Sequence, residues 1–173
     1  QIAQAGTGQN LQGFAWGGDS ENGDVGGIGW ISFNCISDNS CSATVDYGVN
    51  LGNDIGGYRA LVGYAWSSNF GWVQFGGLSD LDNIFPSGNG TVATNARFDV
   101  STNKFEGWAK VVATDVGWDG WISLSGTNYG VSMSTAGDTA GEFSGYAWGG
   151  PDGIGWIDFS RGWFVIPYSV ICI

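Results

Sequence analysis

The sequence predicts an all-β fold, an antiparallel sandwich or barrel built from about four three-stranded repeats. Three observations support this prediction. Two short glycine-aromatic motifs recur together four times along the 173 residues. Each motif alternates with a period of two residues, as strands do, and no segment shows the 3.6-residue period of an amphipathic helix. Glycine, at 32 residues, is far above its usual share. We therefore expect almost no helix.

The first motif is a tetrapeptide of glycine, an aromatic residue, alanine and usually tryptophan. Its four copies are Gly13-Phe14-Ala15-Trp16, Gly63-Tyr64-Ala65-Trp66, Gly107-Trp108-Ala109-Lys110 and Gly145-Tyr146-Ala147-Trp148. Lys110 replaces the tryptophan in the third copy. The opening glycine has no side chain to pack, so we expect it to let a neighbouring indole lie against the backbone or to mark a bulge.

The second motif follows each copy of the first and again reads as a strand. Its copies are Gly29-Trp30-Ile31-Ser32-Phe33, Gly71-Trp72-Val73-Gln74-Phe75, Gly120-Trp121-Ile122-Ser123-Leu124 and Gly155-Trp156-Ile157-Asp158-Phe159. A weaker third strand precedes three of the pairs, at 47–51, 97–100 and 129–133. The repeats then span about 12–33, 47–75, 96–124 and 129–159 of a single domain, 1–173.

Tryptophans at repeating strand positions are typical of a core. We expect seven of them to pack inside the domain: Trp16, Trp30, Trp66, Trp72, Trp121, Trp148 and Trp156. Trp118 and Trp163 lie off the motifs and are the better candidates for exposed platforms.

The repeats are offset from the ends of the sequence by one strand. Segment 1–11 is polar and supplies no first strand. Segment 163–173, in contrast, is apolar at both the odd-numbered and the even-numbered positions, as in a strand that is covered on both faces. Leaving five such side chains in water would cost roughly 10 kcal/mol. We favour pairing in trans, in which this strand completes the first repeat of a neighbouring molecule; the alternative is pairing in cis. The predicted assembly residues are Trp163, Phe164, Val165, Ile166, Tyr168, Val170, Ile171 and Ile173.

Composition excludes several kinds of chemistry. The chain has no histidine, so imidazole bases and histidine-ligated metals are absent. We expect no catalytic residues and no enzyme. The net charge of −11 disfavours nucleic acid, and no apolar run is long enough to cross a membrane. No cofactor is expected, although acidic loops at 19–24 and 80–83 are possible calcium ligands.

The cysteines indicate an oxidising compartment. Cys35 and Cys41 enclose five turn-forming residues, a spacing that suits a disulfide at a hairpin end; two reduced thiols are the alternative. Cys172 has no partner in this scheme and is read as a buried thiol or an intermolecular disulfide. The start at Gln1 suggests a removed leader. We therefore expect an extracellular or cell-surface protein.

The paired motifs, with the Tyr-Gly-Val strands and the Asn34-Cys35 insertion, resemble a largely uncharacterised family of Trp/Gly-rich repeat proteins predicted on the surfaces of uncultivated bacteria. The resemblance covers roughly residues 12–160 and implies secretion and repetition, but no activity. The leading functional hypothesis is a secreted structural subunit that binds other copies of itself and polymerises into a filament or surface layer by strand exchange. The alternative is a carbohydrate-binding or adhesin module with a glycan as its partner.

Overall fold

The computed structural model describes residues 10–18, 28–79, 81, 93–113 and 118–164, and it confirms the all-β prediction. The described residues form one sheet whose named strands all pair antiparallel. The strands are β1 (Leu11–Gly17), β2 (Gly29–Ser32), β3 (Val49–Ile55), β4 (Tyr58–Ser67), β5 (Gly71–Phe75), β6 (Arg97–Asp99), β7 (Lys104–Glu106), β8 (Trp108–Val111), β9 (Trp121–Ser123), β10 (Val131–Met133), β11 (Phe143–Trp148) and β12 (Trp156–Phe164). Among the described residues, the helical segments with defined bounds are single turns at Gly137–Thr139 and Gly150–Ile154.

Eight of the strands close into a barrel. Around the ring they follow the order β1-β2-β4-β5-β8-β9-β11-β12, and β12 returns to β1. These eight are the strands that carry the two sequence motifs. The other four, β3, β6, β7 and β10, extend one end of the barrel by pairing with β4, with one another and with β11.

The ring closes where β12 pairs with β1 of the same chain, with Leu11 opposite Phe164 and Gly13 opposite Gly162. In the second and fourth motif pairs, Val49 and Val131 stand opposite the corresponding glycines. The segment of β12 around Gly162 therefore holds the position that the third strand holds in those repeats and that the first repeat lacks.

Within the described chain the start of the predicted assembly strand takes the cis alternative. Trp163 and Phe164 pair with Gln12 and Leu11 of their own chain, and completion in trans stays a prediction. The vacancy beside β1 is filled by the continuation of β12, so these two residues need no second molecule. The other predicted assembly residues, Val165, Ile166, Tyr168, Val170, Ile171 and Ile173, lie outside the described residues, as do Cys172 and segment 1–9.

The residues that face the core alternate with the tryptophans, whereas the prediction places the tryptophans themselves inside. Its motif residues are the alanine of the first motif and the two apolar residues that flank the fourth position of the second: Ala15, Ala65, Ala109, Ala147, Ile31, Val73, Ile122, Ile157, Phe33, Phe75, Leu124 and Phe159. The prediction that seven motif tryptophans form the core is wrong. Trp16, Trp66, Trp72, Trp121 and Trp148 are half-buried, and Trp30 and Trp156 are exposed. Side chains alternate across a strand, so burying the alanine places the neighbouring indole on the outer surface.

The disulfide between Cys35 and Cys41 is present, as predicted, with its Cα atoms 4.8 Å apart. It ties the start of an insertion, residues 35–46, that links β2 to β3. Among the described residues, no helix is both long and apolar enough to cross a membrane.

Candidate functional site: an aromatic face at the barrel seam

The surface of interest is the outer face of β11, β12, β1 and β2, which we call the seam face because the chain's first and last described strands meet there. One row of residues crosses all four strands. Tyr146 stands opposite Asp158, Asp158 opposite Trp16, and Trp16 opposite Trp30. Directly opposed side chains on one face have Cβ atoms about 5 Å apart, so the row spans roughly 15 Å.

Exposed aromatic side chains concentrate on this face. Five aromatic residues are exposed among the residues that the structure describes: Trp30, Tyr58, Tyr146, Trp156 and Trp163. All except Tyr58 belong to the seam strands. Trp30, Tyr146 and Trp156 are each 48% exposed, and Trp163 is 43% exposed. Rings of this size are mostly buried, so a cluster of half-exposed ones is a candidate contact surface.

Neighbouring rings hold these aromatics in place. The ring centroids of Trp16 and Trp30 are 4.7 Å apart at an interplanar angle of 62°. Those of Trp148 and Trp156 are 4.5 Å apart at 54°. Such edge-on and tilted contacts are favourable and restrict both rings. The exposed indoles are therefore preformed platforms.

Polar groups lie among the platforms. Asp158 is half-buried between Tyr146 and Trp16, and its Oδ1 accepts a hydrogen bond of 2.8 Å from the backbone N–H of Ser160. Between Asp158 and Arg161, β12 carries one extra residue relative to β1, so Arg161 stands opposite Phe14 with its side chain exposed. This bulge brings a cation to the edge of the aromatic surface. The face thus offers flat apolar rings beside a carboxylate and a guanidinium.

The contact that Trp156 makes with a neighbouring tyrosine has a close counterpart elsewhere on the barrel. Tyr129 meets Trp156 with 5.2 Å between ring centroids, and Tyr47 meets Trp72 at the same distance. At the Trp72 copy, the hydroxyl of Tyr47 donates a hydrogen bond to Asp38, which lies in the disulfide insertion. Burial first, and this hydrogen bond second, raise the pKa of Tyr47 above its ordinary value.

The copy at Trp156 has no such insertion. Burial raises the pKa of Tyr129 against a smaller opposing effect of Ser123, whose hydroxyl donates to the carbonyl oxygen of Ser125 at 2.8 Å. The Tyr129 hydroxyl has no hydrogen-bond partner within the described part of the chain. Tyr47 is buried and Trp72 half-buried, whereas Trp156 is exposed. Of the two copies, the one on the seam face is open.

The two off-motif tryptophans have different surroundings. Trp163 is exposed, as predicted, and its ring lies across the backbone of Gly13, where a Cβ atom would come within 2.6 Å of it. Trp118 is half-buried, packs against the core and donates from Nε1 to the carbonyl oxygen of Gly149 at 2.8 Å. Trp118 is therefore not an exposed platform.

Calcium finds no support in the described residues. No group of three or more aspartate, glutamate or cysteine residues there is arranged to hold a metal ion. The acidic loop 19–24, and Asp80, Asp82 and Asn83 of the second loop, lie outside the described residues.

Tyr146 and Asp158 are not among the site residues predicted from the sequence. Both motifs were visible, but strand parity was assigned with the tryptophans inward, which left the outer face without aromatic residues. The signal that could have corrected this is the alanine shared by all four copies of the first motif, whose small side chain fits inside a narrow barrel.

Comparison of the chain with protein-family models, with curated proteins and with solved structures found no match.

Proposed function

We propose that the protein is an extracellular carbohydrate-binding or adhesin module and that the seam face is its binding surface. The observation that carries the proposal is the concentration there of four of the five exposed aromatic side chains among the described residues. The Cys35–Cys41 disulfide supports an oxidising, extracytoplasmic setting.

Carbohydrate is the ligand class that suits this surface. A sugar ring has an apolar face that stacks on an aromatic side chain and hydroxyl groups that exchange hydrogen bonds at its rim. Trp30 and Trp156 lie two strands apart across the seam and two residues apart along the strands, about 12 Å by strand spacing and rise, and Asp158 lies on the strand of Trp156 in the row of Trp30. This arrangement provides two stacking positions and a polar contact for an extended oligosaccharide.

Calorimetric titration with hexasaccharides of β-linked glucose, galactose and N-acetylglucosamine tests the proposal. We expect at least one of them to bind and Trp30→Ala and Trp156→Ala each to weaken that binding about 10-fold or more. The matched control is Tyr58→Ala, which removes the exposed aromatic residue off the seam and should leave affinity unchanged. Absence of binding to every hexasaccharide, or equal affinity in the two seam variants and the parent, would contradict the proposal.

Self-assembly through strand exchange is the second candidate, and the cell surface its expected place. It is supported by the ring closure: separating the single β1–β12 pairing opens the barrel, so a neighbour's β12 could replace the chain's own. Negative-stain imaging and light scattering of the full chain after refolding at high concentration test it. Assembly that is lost when the chain ends at Phe164 would support a role for 165–173, whereas monomers throughout, or equal assembly of both proteins, would refute it.

A further inference from the structure

A second row of residues crosses the barrel on the side opposite the seam. On the outer face of β4, β5, β8 and β9, Tyr64 stands opposite Gln74, Gln74 opposite Lys110, and Lys110 opposite Trp121. These strands lie four places from the seam strands in the eight-strand ring. We call these four residues the Lys110 row. It is the positional counterpart of Tyr146, Asp158, Trp16 and Trp30.

The two rows differ in charge. The seam row has Asp158 beside Trp16, whereas the opposite row has Gln74 beside Lys110. Lys110 is also the residue that breaks the first motif, since the other three copies have tryptophan at its position. The exchange of an indole for an ammonium turns an aromatic row into one with a cation at its centre.

Lys110 has no acidic partner among the described residues. Its Nζ lies 4.5 Å from the centroid of the Trp121 ring, and its side chain is half-buried. The ion pair found in the described part of the chain joins Arg97 to Glu106 instead. In a chain with 16 acidic and 5 basic residues, an ammonium kept on an aromatic row without a carboxylate is unexpected. A partly desolvated cation attracts an anion more strongly than one in open water does.

The remaining members of the row supply ring and hydrogen-bond contacts. Tyr64 and Trp121 offer aromatic surface on either side of the cation. The side-chain nitrogen of Gln74 donates to the carbonyl oxygen of Gly76 at 2.9 Å, which orients the amide and leaves its oxygen to accept a hydrogen bond. Stacking surface, a fixed acceptor and a cation together match a sugar that bears a negative charge.

We propose that the Lys110 row is a second binding site, for an anionic sugar whose carboxylate or sulfate pairs with the Lys110 ammonium beside the Trp121 ring. The inference rests on the proposed function only in taking a sugar ring as the ligand of an aromatic row. The charge preference comes from Lys110 alone.

Titration with hexagalacturonate and with its fully methyl-esterified form tests the proposal, because esterification removes the charge and keeps the sugar rings. We expect the acid form to bind more tightly than the ester and its affinity to fall between 20 and 200 mM salt. Lys110→Met should weaken binding of the acid form about 10-fold and leave the ester unchanged, while Lys110→Arg should retain binding of the acid form. A thermal melt of each variant checks folding.

The outcomes separate this inference from the proposed function. Loss of neutral-sugar binding in Trp30→Ala and Trp156→Ala concerns the seam face alone. Equal binding of the acid and the ester, or a Lys110→Met protein that binds the acid as the parent does, would overturn the Lys110 site whatever happens at the seam. Complete displacement of hexagalacturonate by oligoglutamate of equal length and at equal concentration would assign the site to acidic peptides and overturn the sugar class. A sulfated hexasaccharide, compared with its desulfated form, distinguishes sulfate from carboxylate.

Discussion

At the scale of single residues, the motif glycines permit close approach of two backbones. Gly145 has φ +90°, and a Cβ atom built there would overlap the carbonyl oxygen of Gly130 on the neighbouring strand. Gly63 meets Gly48 in the same way. The expected indole does cover Gly13, but a Cβ atom there would lie even closer, at 2.2 Å, to the carbonyl oxygen of Arg161, so a carbonyl group is the nearest neighbour at all three positions.

Gly145→Ala should therefore destabilise the protein by about 3 kcal/mol or more, because it adds a backbone overlap to the strain of a positive φ. The matched control is Gly57→Ala. Gly57 also has φ +90°, but a Cβ atom there would have nothing within 4 Å. Gly57→Ala should therefore lower the free energy of unfolding by only about 1 kcal/mol. Urea unfolding of the two variants measures the difference, and equal losses would show that the overlap contributes nothing.

Tyr47 makes the free energy of unfolding fall as the pH becomes alkaline. Its raised pKa means that the folded state holds the phenolic proton more tightly than the unfolded state does. The contribution is fully present below the unfolded tyrosine pKa of about 10 and is lost as the pH rises above it toward the folded pKa. Tyr47→Phe should reduce the fall in the free energy of unfolding between pH 9 and pH 11. Identical slopes for variant and parent would contradict this assignment.

At the scale of elements, the sequence predicted the strands well but not which side of each faces inward. Alternation fixes that two sets of residues point in opposite directions, and each set of the second motif contains an apolar residue, tryptophan in one and isoleucine or valine in the other. In the second motif, Ile157 and its neighbour Trp156 are equally plausible core residues by hydrophobicity. The structure resolves the choice by volume, because eight short strands enclose space for aliphatic and phenyl groups once alanine lines the adjacent strands.

Because Ile157 faces inward and Trp156 outward, adjacent substitutions should differ in how much they destabilise the protein. Ile157 is fully buried, so Ile157→Ala should cost about 2–5 kcal/mol. Trp156 is 48% exposed, so Trp156→Ala should cost less than Ile157→Ala despite removing the larger side chain. Denaturant unfolding of both variants compares them. A larger loss for Trp156→Ala would restore the inward tryptophans of the sequence prediction.

At the scale of the whole molecule, the sequence located the vacancy beside the first repeat but not the segment that fills it. Ser160, Arg161 and Gly162 lack the Tyr-Gly-Val pattern of the equivalent strands, so the continuation of β12 gave no recognisable signal. The distance between the two ends of a sheet depends on its curvature, which residue spacing does not encode. Residue spacing therefore does not choose between cis and trans.

Cross-linking tests the closure in solution. Gln12 and Trp163 stand opposite each other on β1 and β12. With Cys172→Ser as background, Gln12→Cys combined with Trp163→Cys should oxidise to a monomer containing an intramolecular disulfide, seen by mass spectrometry of the intact protein and its peptides. Disulfide-linked dimers or ladders at low protein concentration would indicate exchange between molecules instead.

If the proposed function is correct, the outward indoles of the seam face contact the ligand. The most direct measurement is a nitrogen-proton NMR spectrum of the ten tryptophan side chains during titration with the tightest-binding neutral hexasaccharide. We expect the indole signals of Trp30 and Trp156 to shift with the same saturation curve. The chemical shift of the Trp118 indole, whose N–H is hydrogen-bonded to the carbonyl oxygen of Gly149, should not change. Unmoved signals for Trp30 and Trp156 in the presence of saturating sugar would contradict the claim.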